Sequence, residues 1–156
     1  MSRCIWILGT LAMLACPAVG AEAEDVLQPE IGTYVIDKQT GIVYGREAST
    51  AAAGETEACT MKACLPKNVK RPVPAVVMIS GSASRSDSGD LARHAAWLAS
   101  HGYAVFTPAY RSGEGKQTAY CDVRSAVRFV RDNCTQFGID PHRIGVWGCA
   151  GGGGLA

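Results

Sequence analysis

An apolar run over residues 75–79 constrains the fold of this chain more than any other feature of its sequence. A strand whose side chains are all apolar is stable only when both of its faces are covered, a situation typical of parallel sheets. Two further, largely apolar runs, 103–107 and 144–147, follow with room for a helix before each. The spacing predicts a doubly wound α/β sheet, in which strands and helices alternate along the chain.

Two helices are predicted between these strands. The first spans residues 90–101 and ends at Gly102, because glycine readily adopts the backbone conformation that terminates a helix. The second is marked by apolar residues at steps of three and four, with charged residues on the opposite face. The apolar face consists of Ala119, Val123, Ala126, Val127, Val130, Cys134 and Phe137, and the charged face of Arg124, Arg128, Arg131 and Asp132.

The segments flanking this core are predicted from turn residues and alternation. Gly138 is expected to end the second helix, Asp140 and Pro141 to turn the chain, and residues 144–147 to form a third buried strand. Upstream, short apolar or alternating runs over 42–46 and 59–65 predict an antiparallel hairpin at the edge of the sheet.

The N-terminus has the pattern of an export signal over residues 1–21. Arg3 precedes a short apolar run, and small residues at positions 19–21 offer a cleavage site. The run is too short to cross a bilayer core of about 30 Å, so a stable membrane span is not expected. The pattern predicts a mature domain of residues 22–156, secreted or periplasmic. A lipoprotein attached through Cys16 is the alternative.

Composition excludes some classes of partner. Hydrophobic residues make up 47% of the 156 residues and charged residues 19%, as in globular proteins, and the net charge of +1 provides no field that would attract nucleic acid. Five cysteines remain after the export signal, so at least one thiol stays free or pairs outside the chain. No cysteine or histidine cluster has the spacing of zinc ligands, so we expect no metal.

Two loops lie where ligands bind in open parallel sheets, beyond the carboxyl ends of the strands. They span residues 80–86 and 148–154, and both are rich in glycine and serine. The second has the spacing of a Gly-x-Ser-x-Gly elbow, in which small residues on either side of a nucleophile let the chain turn sharply. Its members are Gly148, Cys149, Ala150, Gly151 and Gly152, so the nucleophile position holds an alanine.

Several segments in consistent order resemble α/β-hydrolases of the esterase, lipase and acyl-peptidase-like branch. They are residues 74–81, 101–111, 122–130 and 138–148, and the similarity covers roughly 59–156, the N-terminal part of such a fold. The resemblance implies a partial α/β-hydrolase fold, with a mostly parallel sheet and an N-terminal antiparallel hairpin, truncated at the elbow. It also implies hydrolysis of a small-molecule carboxylic ester without metal or organic cofactor. The oligomeric state stays open.

The departures from this family fall at the site. Ala150 stands where the family has its serine, Ser80 where histidine is common, and Ser82 and Ala83 where glycines usually follow. The resemblance places the oxyanion hole at backbone N–H groups of Ser82 or Ala83 together with Gly151.

The family's acid and histidine follow the nucleophile, whereas only six residues follow position 150 here. His94, His101 and His142 all precede it, and capping or solvent exposure is the expected role of each. We therefore expect the chain as given to be inactive.

Three alternatives accompany this hypothesis. Cys149 is a candidate nucleophile, although its neighbouring position predicts a side chain turned away from the cleft, as a buried, inert cysteine. Residues 151–156 formally satisfy a dinucleotide-binding pattern, but four consecutive glycines match almost any glycine motif. A non-catalytic binding protein with this fold, or a gene fragment, is the third. The serines of the first loop are expected to form turns and cap the following helix.

Overall fold

The computed structural model describes residues 34–48, 56–69, 72–81, 89–111 and 115–156. The predicted export signal, with its alternative at Cys16, lies outside these ranges, as do Ser82, Ala83, Ser84 and Ser86 of the first loop. Among the described helices, none is long and apolar enough to cross a membrane.

Strands and helices alternate after an N-terminal hairpin. The hairpin strands are β1 (Ile36–Ala48) and β2 (Thr56–Pro66). They are followed by β3 (Val73–Ile79), α1 (Gly89–Ser100), β4 (Ala104–Pro108), α2 (Lys116–Asp132), α3 (Cys134–Phe137) and β5 (Ile139–Gly148). A 3₁₀ helix, Ala150–Gly154, comes directly after β5 and is called the elbow turn below.

The five strands form one mixed sheet in the order β1-β2-β4-β3-β5. β1 pairs with β2 and β2 with β4 in antiparallel fashion, whereas β3 is parallel to both β4 and β5. The predicted edge hairpin and parallel core are therefore confirmed. The core strand β3 lies between two partners, as its uninterrupted apolar sequence predicts.

Helices cover both faces of this sheet. On one face, α2 and α3 contribute Ala126, Val130, Cys134 and Phe137 to a cluster with Val77 and Phe106 from β3 and β4. On the other face, α1 contributes Leu91, Ala95 and Ala99, which pack against Met78 and Val105. The charged residues predicted for the outward face of α2 are all exposed. The doubly wound arrangement is therefore confirmed.

Two details of the C-terminal segment differ from the sequence-based expectation. The turn predicted at Asp140 and Pro141 lies within β5. Val73 pairs with Ile139 and Ala75 with Ile144, so one intervening residue of β3 lies opposite four of β5. The Asp140 carboxylate accepts a hydrogen bond from the His142 backbone N–H at 2.9 Å, so a local turn is present but forms a bulge rather than ending the strand.

Residues 144–147 lie within a strand, as predicted, but the prediction that this strand is buried is wrong. Val146 is 40% exposed and Trp147 is 41% exposed. β5 is the outermost strand on its side of the described sheet, and the His94 ring of α1 lies beside Trp147 without burying it. An apolar sequence indicates a strand that is suited to burial, but its place in the sheet decides the exposure.

Candidate active site

The elbow turn presents Ala150 at the end of the parallel core. Ala150 has a φ of 50°, and it is one of two non-glycine residues with positive φ in the described part of the chain. This left-handed conformation costs an alanine roughly 1–2 kcal/mol. A strained residue between a strand and a helix is the backbone geometry of a nucleophile elbow. The Ala150 side chain is exposed to solvent at this point.

The glycines on either side of Ala150 are required by close backbone approaches. A Cβ at Gly148 would overlap the carbonyl group of Gly152. A Cβ at Gly152 would lie 2.5 Å from the Ile79 carbonyl oxygen and 2.7 Å from that of Ser80. A Cβ essentially never lies this close to another heavy atom, so the turn is this tight only because both positions lack side chains.

The end of β3 lies directly against the elbow turn. The Cys149 N–H donates to the Ile79 carbonyl at 3.0 Å. A Cβ at Gly81 would lie 2.8 Å from the Gly151 nitrogen and 3.0 Å from the Ala150 Cβ. Gly81 therefore brings the first loop to the position that a nucleophile would occupy. Ser82 and Ala83, the predicted oxyanion donors, follow Gly81 in the chain but lie outside the described residues.

Comparison with known families distinguishes the two hypotheses raised for the glycine-rich segment, a hydrolase elbow and a dinucleotide-binding motif. The profile of the BD-FAE family, an esterase domain of α/β-hydrolase type, matches residues 61–156. The chain belongs to this family. The match includes all of the elbow turn, so the glycine run that formally resembles a dinucleotide motif is part of the family's own domain.

Solved structures with this fold include several esterases. The chain is similar to the esterase Est22, with 21% identity and a TM-score of 0.59, over 79% of this chain and 37% of that one. The bacterial heroin esterase has 23% identity and a TM-score of 0.59, with the same two coverages. Esterase B from Lactobacillus rhamnosis has 24% identity and a TM-score of 0.60, over 82% and 38%.

The chain thus spans less than two fifths of the length of these structures, and the predicted partial α/β-hydrolase fold is confirmed. Among curated proteins, no match was found.

A largely buried ion pair between Arg111 and Asp122 holds the segment that follows β4. The Asp122 carboxylate, on the inward face of α2, accepts hydrogen bonds from the Arg111 backbone N–H at 3.0 Å, Nε at 3.0 Å and Nη2 at 2.8 Å. This bidentate pair fixes the segment after β4, which also carries Tyr110. The Tyr44 hydroxyl donates to the Ala109 carbonyl at 2.6 Å in the same segment.

Three supporting residues were missed by sequence reasoning. Gly81 lies two residues after the end of a buried strand, which is a signal for a close backbone approach. Asp122 is a charged residue on an otherwise apolar helix face, three residues after Ala119 and four before Ala126, so its burial was detectable from periodicity. Tyr110 carried no such signal.

Cys149 does not occupy the environment predicted for it. The sequence favoured a buried, inert cysteine, but Cys149 is exposed. The cause is the same as for Trp147, because the end of β5 lies at the uncovered side of the described sheet. Alkylation of Cys149 is therefore expected whatever its function. None of the five described cysteines forms a disulfide, and the described residues contain no cluster of metal-ligating side chains.

The three histidines do not gather at the elbow turn. His101, at the end of α1, contacts the Trp97 carbonyl through Nδ1 at 2.8 Å, as expected for a helix-end residue. His94 is exposed within α1, with its ring centroid 6.2 Å from that of Trp147. His142 is exposed in the β5 bulge. These positions agree with the capping or solvent exposure predicted for the three histidines.

An open groove lies beside the elbow turn, between it and the start of α2. Its volume is about 330 Å³, and it is lined by Tyr110, Gly115, Lys116, Ala119, Gly151, Gly154 and Leu155. The Tyr120 hydroxyl donates to the Gly154 carbonyl at 2.7 Å and so links α2 to the far end of the elbow turn. The groove is large enough to hold part of a small ester next to position 151.

Two buried tyrosines predict a loss of stability in alkali. Burial raises the pKa of both Tyr44 and Tyr110 above the ordinary value near 10. A tyrosine whose pKa is higher in the folded state than in the unfolded chain contributes stability at pH values below about 10. This stability is lost as the pH rises further, because the tyrosine ionises first in the unfolded chain.

We expect the urea concentration at the denaturation midpoint to decrease as the pH is raised from about 9 to about 11. The double variant Tyr44→Phe/Tyr110→Phe should show a smaller fall, measured by urea denaturation at each pH. Identical pH dependence in the two proteins would contradict the assignment.

Proposed function

We propose that the chain carries the elbow and oxyanion part of a site for carboxylic-ester hydrolysis, with position 150 as the place of the nucleophile. The observation that carries this proposal is the φ of 50° at Ala150, held between a parallel strand and a helical turn by glycines that admit no Cβ. Backbone N–H groups of Ser82, Ala83 and Gly151 would bind the oxygen of the attacked carbonyl. Family membership and the esterases among the solved neighbours support the substrate class.

The chemistry at position 150 is incomplete in this sequence. In acyl transfer, an atom with a lone pair attacks the carbonyl carbon, and the carbonyl π electrons move to the oxygen. The Ala150 methyl group has no lone pair, so no acyl-enzyme can form there. In subtilisin, loss of the nucleophile lowers turnover about a millionfold. We therefore expect no turnover of a short p-nitrophenyl ester, and turnover that survives rigorous purification would contradict the proposal.

A non-catalytic role in ester binding is the second candidate. It is favoured by one specific observation, the strained elbow turn that persists although its central residue cannot react. Both candidates place the carbonyl group of the ligand at the same point, so the same experiment tests the shared geometry.

Restoring a nucleophile tests that geometry without a complete triad. Cysteine is intrinsically nucleophilic and a few per cent ionised at neutral pH, so it needs no general base. We would prepare Cys149→Ser/Ala150→Cys and treat it with p-nitrophenyl acetate. The introduced thiolate attacks the carbonyl carbon, a C–S bond forms, p-nitrophenolate leaves with the electrons of the broken C–O bond, and the thiol proton passes to water.

The rate is compared with that of a thiol elsewhere in the same chain. Each site's acetylation rate is divided by its alkylation rate with iodoacetamide, because alkylation forms no oxyanion and corrects for ionisation and access. One oxyanion donor is worth about 10²–10³ in rate, so the ratio at position 150 should exceed that at exposed Cys121 about 100-fold.

Cys149→Ser with Ala150 intact is the matched control and should show acetylation only at background thiols. Equal ratios at position 150 and Cys121, measured by intact mass and peptide mapping, would defeat the proposed function.

A further inference from the structure

One tyrosine side chain reaches the backbone at the junction of β3 and the first loop. The Tyr110 hydroxyl donates a hydrogen bond to the Ser80 carbonyl at 2.7 Å, across 30 positions of the sequence. Ser80 follows the last residue of β3 and precedes Gly81, which lies against the elbow turn. The contact therefore acts on the peptide group that directs the first loop toward position 150.

The elbow turn also confines the Ser80 carbonyl. A Cβ at Gly152 would lie 2.7 Å from the Ser80 oxygen, so the elbow turn closely approaches this group. A peptide group held by a hydroxyl and closely approached by the elbow turn has little freedom to rotate. Its orientation sets the direction of the Gly81 backbone and hence the distance between Gly81 and the Gly151 N–H.

Tyr110 is itself held rigidly. Its side chain is 8% exposed and packs in a cluster with Ile79, Ala119 and Val123, joined by Leu155. The next residue, Arg111, is fixed by its bidentate pair with Asp122. Burial raises the pKa of the Tyr110 phenol, so the hydroxyl stays protonated and remains a donor at neutral pH.

We propose that Tyr110 is a positioning residue for the oxyanion site, whose hydroxyl holds the Ser80 peptide so that Gly81 stays against the elbow turn and the Gly151 N–H keeps its place beside an acyl oxygen at position 150. This inference rests on the proposed function. The elbow glycines permit the close approach of Gly81 to the elbow turn, but they do not fix the orientation of the Ser80 peptide. The inference gives this second role to Tyr110.

The test introduces Tyr110→Phe into Cys149→Ser/Ala150→Cys. Loss of the hydroxyl should lower the acetylation rate at position 150 about tenfold, while alkylation by iodoacetamide at the same thiol stays unchanged. A residue with a merely structural role would alter both rates together. Hydrogen exchange provides a second measurement, in which the Gly81 and Gly151 amides exchange faster after the substitution.

Tyr44→Phe is the matched control. Tyr44 is also 8% exposed and also donates to a backbone carbonyl of this segment, that of Ala109, which follows β4 rather than β3. We expect Tyr44→Phe to leave both rates at position 150 and the two amide exchange rates as they are in the parent.

The outcomes separate the inference from the proposed function. Absence of selective acetylation in the parent Cys149→Ser/Ala150→Cys defeats the proposed function, whatever Tyr110 does. Selective acetylation that Tyr110→Phe leaves intact overturns the role of Tyr110 alone. Equal losses in both tyrosine variants, or loss of circular dichroism in Tyr110→Phe alone, would also overturn it, because the hydroxyl would then support the fold as a whole.

Discussion

Replacement of Asp122 by alanine is expected to lower the free energy of unfolding by about 3–5 kcal/mol. The Asp122 side chain is 1% exposed, and that of its partner Arg111 is 15% exposed. Removal of the carboxylate deprives the Arg111 guanidinium and backbone N–H of this acceptor, at a position where the carboxylate itself is buried. Urea denaturation followed by circular dichroism measures the change.

A surface pair serves as the control for Asp122. Asp90 and Arg93 form an ion pair in the first turn of α1, with side chains 79% and 81% exposed. Exposed pairs contribute about 0–1 kcal/mol, so Asp90→Ala should have a small effect. If Asp122→Ala destabilised the protein no more than Asp90→Ala does, the buried pair would not be a structural support of the site.

Replacement of Gly152 by alanine is expected to destabilise the protein by about 3 kcal/mol, or to displace the elbow turn from β3. The added Cβ would meet the Ile79 oxygen at 2.5 Å and the Ser80 oxygen at 2.7 Å. The Ile79 oxygen accepts the Cys149 N–H and the Ser80 oxygen accepts the Tyr110 hydroxyl, so neither can move aside at low cost. The free energy of unfolding is the quantity to measure.

Gly154 provides the matched position within the same elbow turn. A Cβ there would have no atom within 4 Å, and Gly154 does not have positive φ. Gly154→Ala should therefore change stability by no more than about 0.5 kcal/mol. Equal stability of the Gly152 and Gly154 variants would show that the tight approach between the elbow turn and β3 does not exist in solution.

The sequence predicts most of the fold because its periodicities are strong. The apolar run before Ser80 marks the core strand, and the three- and four-residue steps from Ala119 onward mark α2. Gly138 ends the helical segment with a φ of 65°, as its position predicts. The hairpin strands extend beyond the predicted bounds, mostly at their N-terminal ends, because cross-strand pairing continues past the apolar residues.

The site is less predictable because its decisive contacts join distant segments. Position 150 could be located from glycine spacing, which is a local feature. The Tyr110 contact with Ser80 depends on how β3 and β4 align in the sheet, and no local pattern encodes it. The prediction that Cys149 and Trp147 are buried failed for a related reason, since the sequence of a strand does not indicate whether another element covers it.

The most direct test of the account is a crystal structure of acetylated Cys149→Ser/Ala150→Cys. If position 150 is the place of a hydrolase nucleophile, the acetyl oxygen should lie about 2.7–3.1 Å from the Gly151 nitrogen and turn toward the first loop. An acetyl oxygen directed into solvent, beyond about 4 Å from that nitrogen, would contradict the assignment of this turn to ester chemistry.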